Sequence, residues 1–246
     1  MYERTAVMPS VLLSACGGDA EYCNGANEAA VMGAILSLLQ EYLQVSGLRA
    51  SLRPDEAPST MAASIANRQR ADFLFTIRSS AGQGPGIEIC YHPASEKSRR
   101  AAALLQEALQ PVCVDAQWVK LLPVPQLPEF RMAKCPCVQL RLGDRGDPED
   151  AQWMLQCTGV IAHALAKALT AWFDVPCKSP FSQREAEVRV PSGTLALRRA
   201  PRADAELLRP LPNGANLLLL HREGDWQYAE FEGACGYVLR KFLRLL

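Results

Sequence analysis

Cys16 stands directly before Gly17 and Gly18, a setting in which a thiol beside a helix end or an arginine can lose its proton and act as a nucleophile. A nucleophile of that kind needs a base, and the three histidines, His92, His163 and His221, are isolated from one another in sequence. His163 falls among apolar residues at helical spacing and reads as a packed or surface side chain. His92 follows a strand end beside Pro93, near a mouth of the sheet, where a loop role accounts for it. Cys135-Pro136-Cys137 is a C-x-C pair, a spacing that can hold a metal or cycle as a disulfide, although two half-buried thiols explain it as well. The nine cysteines (16, 23, 90, 113, 135, 137, 157, 177, 235) include no C-x-x-C pair and no zinc-ribbon pattern. Reduced thiols are therefore expected over a disulfide framework, which leans toward a reducing compartment. Near the end of the chain, Trp226, Tyr228 and Tyr237 are rigid aromatic surfaces that could line a peptide groove or equally form core. The run Arg198, Arg199 and Arg202 reads as a solvated loop.

Around these residues the chain is of ordinary globular composition, 49% hydrophobic and 21% charged. Lys plus Arg equals Asp plus Glu at 26 each, so no bulk charge draws it to nucleic acid or to an anionic membrane. No apolar run reaches the roughly 20 residues of a membrane span. The stretch from Met1 to Ala15 carries Glu3 and Arg4 and then Val11, Leu12 and Leu13. It reads as a first buried strand rather than a secretion signal.

The elements expected to position the candidate residues alternate through most of the chain. Asn27 to Val45 places Val31, Ala34, Ile35, Leu38, Leu39, Tyr42 and Leu43 at helical spacing. Leu48 to Leu52, Asp72 to Ile77, Ile87 to Tyr91 and Cys137 to Leu142 read as strands. Thr60 to Arg70, Ser95 to Leu109 and Glu149 to Phe173 read as helices, the last as one uninterrupted helix. Pro111 to Pro128 reads as a proline-rich interruption. Strand followed by helix, repeated, predicts an α/β domain over residues 1–178, with a mostly parallel twisted sheet covered by helices on both faces. Ligands of such a sheet gather at the carboxyl ends of its strands. Pro176 to Gln183 reads as a linker. Beyond it, short runs between turn signals (Glu187 to Val190, Thr194 to Arg198, Ala215 to His221, Asp225 to Phe231, Ala234 to Leu239) predict a small all-β barrel over 184–246.

Read in order, several segments resemble the zinc-dependent N-acetylmuramoyl-L-alanine amidases of the amidase 3 type. Ser14-Ala15-Cys16-Gly17-Gly18-Asp19 sits where that family has its Gly-His-Gly-Gly turn, and Asn27-Glu28 where it places a zinc-binding glutamate. Leu52-Arg53-Pro54-Asp55 resembles its Thr-Arg-x-x-Asp segment. Ala66-Asn67-Arg68-Gln69-Arg70-Ala71-Asp72, leading into Phe73 to Arg78, resembles its Ala-Asn-x-x-x-Ala-Asp signature. Pro136 to Gly143, then Asp147-Pro148-Glu149-Asp150, resembles its proline-led strand bearing the catalytic glutamate and the start of its last helix. The second region, with Leu195 to Arg198, Ala200-Pro201, Gly214, Trp226, Gly233 and Gly236-Tyr237-Val238, resembles a bacterial SH3 domain, an SH3-like barrel.

The resemblance implies a zinc ion held by two histidines and a glutamate, with an open position for the attacking water and a further glutamate to move its proton. In this sequence those positions read Cys16, Glu28, Arg78 and Arg141. A cysteine can ligate zinc as thiolate. An arginine cannot, because its guanidinium stays protonated and only donates. Two added positive charges disfavour a divalent cation by several kcal/mol, as an order of magnitude. The expectation is therefore no metal, no cofactor and no catalytic residue, with a Glu28–Arg78 salt bridge at the old metal position. Arg141 would be left free for an anion such as a stem-peptide carboxylate or a muramyl lactyl group.

Three functions are consistent with this reading. The leading one is a noncatalytic, regulatory or binding pseudoenzyme whose partner is peptidoglycan, a muropeptide, or a protein held through the SH3-like region. The second is an active zinc amidase that cleaves the bond between muramic acid and L-alanine. The third is an intracellular protein-interaction or assembly role. The family implies the cell wall or the extracellular space; the thiols and the missing signal lean toward the cytoplasm.

Overall fold

The computed structural model describes residues 8–18, 20–113, 115–181 and 184–246. Glu3, Arg4, Asp19 of the glycine turn and Gln183 of the linker lie outside the described residues.

A six-stranded sheet organises the first part of the chain, in the order β2-β1-β3-β6-β4-β5. Its strands are β1 (Ser10–Ala15), β2 (Arg49–Leu52), β3 (Phe73–Ser80), β4 (Ile87–Tyr91), β5 (Val119–Pro123) and β6 (Cys137–Asp144). Four of its five pairings are parallel; β4 runs antiparallel to β6. The connecting helices are α1 (Glu28–Val45), α2 (Ala62–Gln69), α3 (Glu96–Leu109), α4 (Pro128–Met132), α5 (Pro148–Gln156) and α6 (Thr158–Trp172). Because strand side chains alternate, Phe73, Phe75 and Ile77 enter a core shared with α1, α3 and α6, while Leu12, Leu74 and Cys137 meet α2 and Phe130 of α4 on the opposite face. Both faces are covered.

Two departures from the sequence reading have physical causes. The expected single helix from Glu149 to Phe173 is two helices, broken at Cys157, whose φ of −111° and ψ of 20° leave the helical range. At the break the Thr158 hydroxyl bonds back to the carbonyls of Met154 and Leu155 at 3.2 and 3.3 Å, a side-chain competitor for helical hydrogen bonds. The proline-rich stretch contains β5, and a second strand that escaped notice, β9 (Leu207–Pro212), contains Pro210 and Pro212. Both are the outermost strands of their sheets, where a missing N–H breaks no ladder.

The second sheet is wholly antiparallel, in the order β13-β7-β10-β11-β12-β8-β9. It comprises β7 (Arg184–Val188), β8 (Thr194–Arg198), β9, β10 (Asn216–Glu223), β11 (Trp226–Phe231), β12 (Ala234–Leu239) and β13 (Leu243–Leu245). Glu232 and Gly233 close the β11–β12 hairpin with φ of 49° and 80°, both in the left-handed region that a two-residue hairpin turn requires. One face, with Val188, Leu197, Leu217, Ala229 and Val238, forms a core of its own. The other face presents Leu220, Tyr228 and Tyr237 to the larger core. Tyr228 is 4% exposed and Tyr237 fully buried, with Trp226 half-buried at their side. Tyr228 and Tyr237 are therefore core and line no peptide groove: they seal the sheet against the α/β layer, with Trp226 packed at its margin. No helix among the described residues is long and apolar enough to cross a membrane.

Candidate functional site

Strands β1, β3 and β6 run side by side, and their carboxyl ends bring Cys16, Arg78 and Arg141 together at the crevice that such a sheet leaves outside its strand ends. Register pairs Ser14 with Thr76, Thr76 with Gln139 and Arg78 with Arg141. Alternation turns Thr76, Arg78, Gln139 and Arg141 toward the face covered by α2 and α4, opposite to Phe75 and Ile77.

Glu28 sits elsewhere. Asn27 caps α1 through a bond from Ala30 N, which places Glu28 in the first turn, 1% exposed. Its Oε1 accepts both the backbone N–H and the hydroxyl of Ser79 at 2.7 Å each. Arg145 Nη1 lies 3.9 Å from its Oε2. The carboxylate lies so close over Gly17 that a Cβ there would fall 2.3 Å from Glu28 Cδ. The expected Glu28–Arg78 salt bridge is not formed, because adjacent strand residues point to opposite faces: Ser79 reaches Glu28, so Arg78 cannot. Among the described residues Arg78 donates only to Ser79 O, at 3.3 Å.

Arg141 is not free either. It pairs with Glu88, its neighbour across β4 and β6, at 2.9 Å, with both side chains largely covered. Gln139, 3% exposed, donates from Nε2 to Glu129 of α4 at 2.5 Å, and its Oε1 is buried without a hydrogen-bond partner among the described residues. The Cys16 thiol faces Thr76 and Glu129. Burial, then the Glu129 charge, pushes it up to about 11, against weaker opposite pulls from Thr76, Arg53 and Arg78. Without a metal cation beside it the thiol is protonated at physiological pH and is not a ready nucleophile.

Arg53 ties the turn after β1 to the loop after β2. Its Nε donates to Ser14 Oγ at 3.0 Å, Nη2 to Ala15 O at 3.2 Å, and Nη1 to the carbonyls of Pro54 and Ala57. On the other side, Asp144 Oδ2 accepts from the backbone of Gln83 and Gly84, and Asp150 Oδ2 from Gly86 and Asp144. These two carboxylates fasten loops.

The remaining candidates lie away from the crevice. His92 accepts from Ala94 N in the loop after β4 and borders a cavity of about 320 Å³ with Cys135 and Cys137. Cys137 is buried, and burial pushes the half-buried Cys135 up to about 11. His163 stacks on Tyr42 with ring centroids 5.3 Å apart. His221 lies over Gly159, whose missing side chain admits the imidazole. Ser79, Arg145, Glu129 and Glu88 were not anticipated. Among the described residues no three His, Cys, Asp or Glu side chains gather where they could hold a metal ion.

No protein-family profile matches the sequence, and no curated protein matches it. Solved structures do. The N-acetylmuramyl-L-alanine amidase Ami1 of Mycobacterium smegmatis superposes with a TM-score of 0.60 at 16% identity, covering 68% of this chain and 98% of its own. The amidase AmiC2 of Nostoc punctiforme gives 0.58 at 17%, covering 67% and 97%. The CwlD amidase of Clostridioides difficile, solved in complex with the GerS lipoprotein, gives 0.59 at 17%, covering 68% and 98%. The α/β layer has the amidase fold. At such identities the likeness speaks for the fold, and the function must be argued from the side chains.

Proposed function

We propose that the chain is a noncatalytic, cell-wall-directed protein that uses an amidase scaffold to bind peptidoglycan or muropeptides, with an SH3-like second domain packed against it. The observation that carries this reading is the state of the Glu28 carboxylate. In a zinc amidase that group ligates the metal; here it accepts two hydrogen bonds from Ser79 and faces Arg145. The donor set around it does not fit zinc. Arg78 and Arg141 stand where a lone pair is needed and offer none, which leaves Cys16 and Glu28 short of a zinc-binding set. Arg141 also fills the position from which a glutamate would move the proton of the attacking water. The likeness to cell-wall amidases supports the wall as the place of action, and the partly exposed Cys16 and Arg78 at neighbouring strand ends support a retained binding face.

Purified full-length protein tests this directly. Elemental analysis should find no stoichiometric zinc, and muramyl-peptide amides should stay intact under conditions in which a zinc amidase of this fold cuts them. The protein should co-sediment with purified cell walls. Stoichiometric zinc together with amide hydrolysis would restore the enzymatic reading; failure to sediment would leave an interaction role away from the wall.

A further inference from the structure

A cavity of about 560 Å³ opens on the second sheet, lined by residues of β7, β10, β11 and β13 together with Phe181 and Arg240. It shares no residue with the crevice, and its size is that of a ligand site. Arg184, Arg222 and Arg240 line it, all exposed, with Leu219, Leu243 and Leu245 beside them.

The arginines of this region divide in an informative way. Arg189 and Arg244 pair with Glu187 at 2.9 and 2.7 Å, Arg199 with Glu206, Arg202 with Asp204 and Arg209 with Glu232. Arg198 donates to Ala205 O. Arg184, Arg222 and Arg240 form no ion pair among the described residues, and all three line the one cavity. No acid close in sequence forms an ion pair with them among the described residues: Glu223 lies 3.3 Å from His221 Nε2, and Asp225 accepts the backbone N–H of Arg240 through its carbonyl. Three unneutralised guanidinium groups around apolar side chains are poised for carboxylates, which arginine grips with two parallel hydrogen bonds.

Beside them, β13 is the last strand in its sheet. Its outer edge offers backbone N–H and C=O groups to an extended chain, the geometry of strand addition. We propose that this cavity binds an acidic peptide segment of a protein partner, with carboxylates on Arg184, Arg222 and Arg240 and an apolar side chain against Leu219, Leu243 and Leu245. The leucines and the strand edge favour a peptide over a phosphate polyanion. The site is independent of the crevice and of any wall binding there.

The test titrates the full chain into fluorescein-labelled acetyl-Glu-Leu-Glu-Leu-Glu-amide and its Gln-for-Glu analogue at low salt. Saturable binding of the acidic peptide is expected, at least about tenfold tighter than binding of the analogue and weakened by added salt. The double variant Arg184→Gln/Arg240→Gln should lose about tenfold and the exposed Leu245→Ser severalfold, whereas Arg209→Gln, outside the cavity, should bind within about twofold of the parent. Thermal melting confirms that each variant is folded; if the double variant is not, Leu245→Ser and the Gln analogue decide alone. Equal binding of the two peptides, unchanged binding by the variants, absence of saturation, or displacement by a dT oligonucleotide more readily than by unlabelled acidic peptide would each overturn the proposal.

Discussion

Glu28 and Ser79 form a closed pair: one carboxylate oxygen takes both donors that the serine can offer, at 2.7 Å each, out of contact with solvent. Ser79→Ala withdraws the hydroxyl and leaves a buried carboxylate short of a donor. It should lower the unfolding free energy by about 1–3 kcal/mol, as read from urea denaturation. An unchanged midpoint would mean that water or Arg145 replaces the lost bond at no cost.

The same pair predicts unequal tolerance in the turn beneath it. Gly17→Ala would set a Cβ against the fixed Glu28 side chain, whereas a Cβ at Gly18 meets nothing within 4 Å. The first change should destabilise by about 1–3 kcal/mol and the second by less than about 0.5 kcal/mol. Equal melting temperatures would contradict the close approach.

His163 gives the fold a pH dependence. Burial, reinforced by Lys167, pulls it from the ordinary 6.5 down to about 4. The unfolded chain therefore binds a proton near pH 6.5 that the folded chain accepts only near pH 4. Its contribution to stability is complete above about pH 6.5 and is lost as pH falls through that window, by at most ~1.4 kcal/mol per pH unit. His163→Phe keeps an aromatic ring against Tyr42 and should flatten that part of the stability profile between pH 7 and 4.5. Parallel profiles for parent and variant would show that His163 does not titrate on unfolding.

Thiol chemistry separates Cys16 from an activated nucleophile. Cys23 is exposed, whereas Cys16 is half-buried and pushed up to about 11. Iodoacetamide at pH 8 should alkylate Cys23 well before Cys16, since the thiolate is the reacting form. Faster labelling of Cys16, read by peptide mass spectrometry, would reopen the nucleophile reading.

Gly159 tests the join between the two sheets. The His221 ring lies 2.2 Å from where its Cβ would be. Gly159→Ala should destabilise by about 1–3 kcal/mol and divide a single calorimetric transition into two. A single transition at the parental temperature would show that the ring moves aside freely.

Local pattern made much of this legible. Apolar spacing and strand rhythm placed α1, β3 and β6, since periodicity is a property of neighbouring residues, and the resemblance to the amidases put Glu28, Arg78 and Arg141 on those elements. What escaped was tertiary. Ser79 and Arg145 reach Glu28 across 51 and 117 positions of sequence, and Glu88 meets Arg141 only because β4 runs antiparallel to β6. The one-residue alternation that gives Ser79 to Glu28 and turns Arg78 away was readable in principle, had the face occupied by α1 been known. β5 and β9 were hidden by prolines tolerable only at a sheet edge, a place that no local window reveals. The three aromatics could not be assigned because core and groove use the same residue types.

Tyr228 and Tyr237 lie in the interior of the larger layer although the second sheet supplies them. A cut in the linker would strip both halves, leaving an oily scar on α6 and two phenol rings open to water. Each half is solvent-proofed by the other, so swapping either for an unrelated module would transplant a surface prone to clumping.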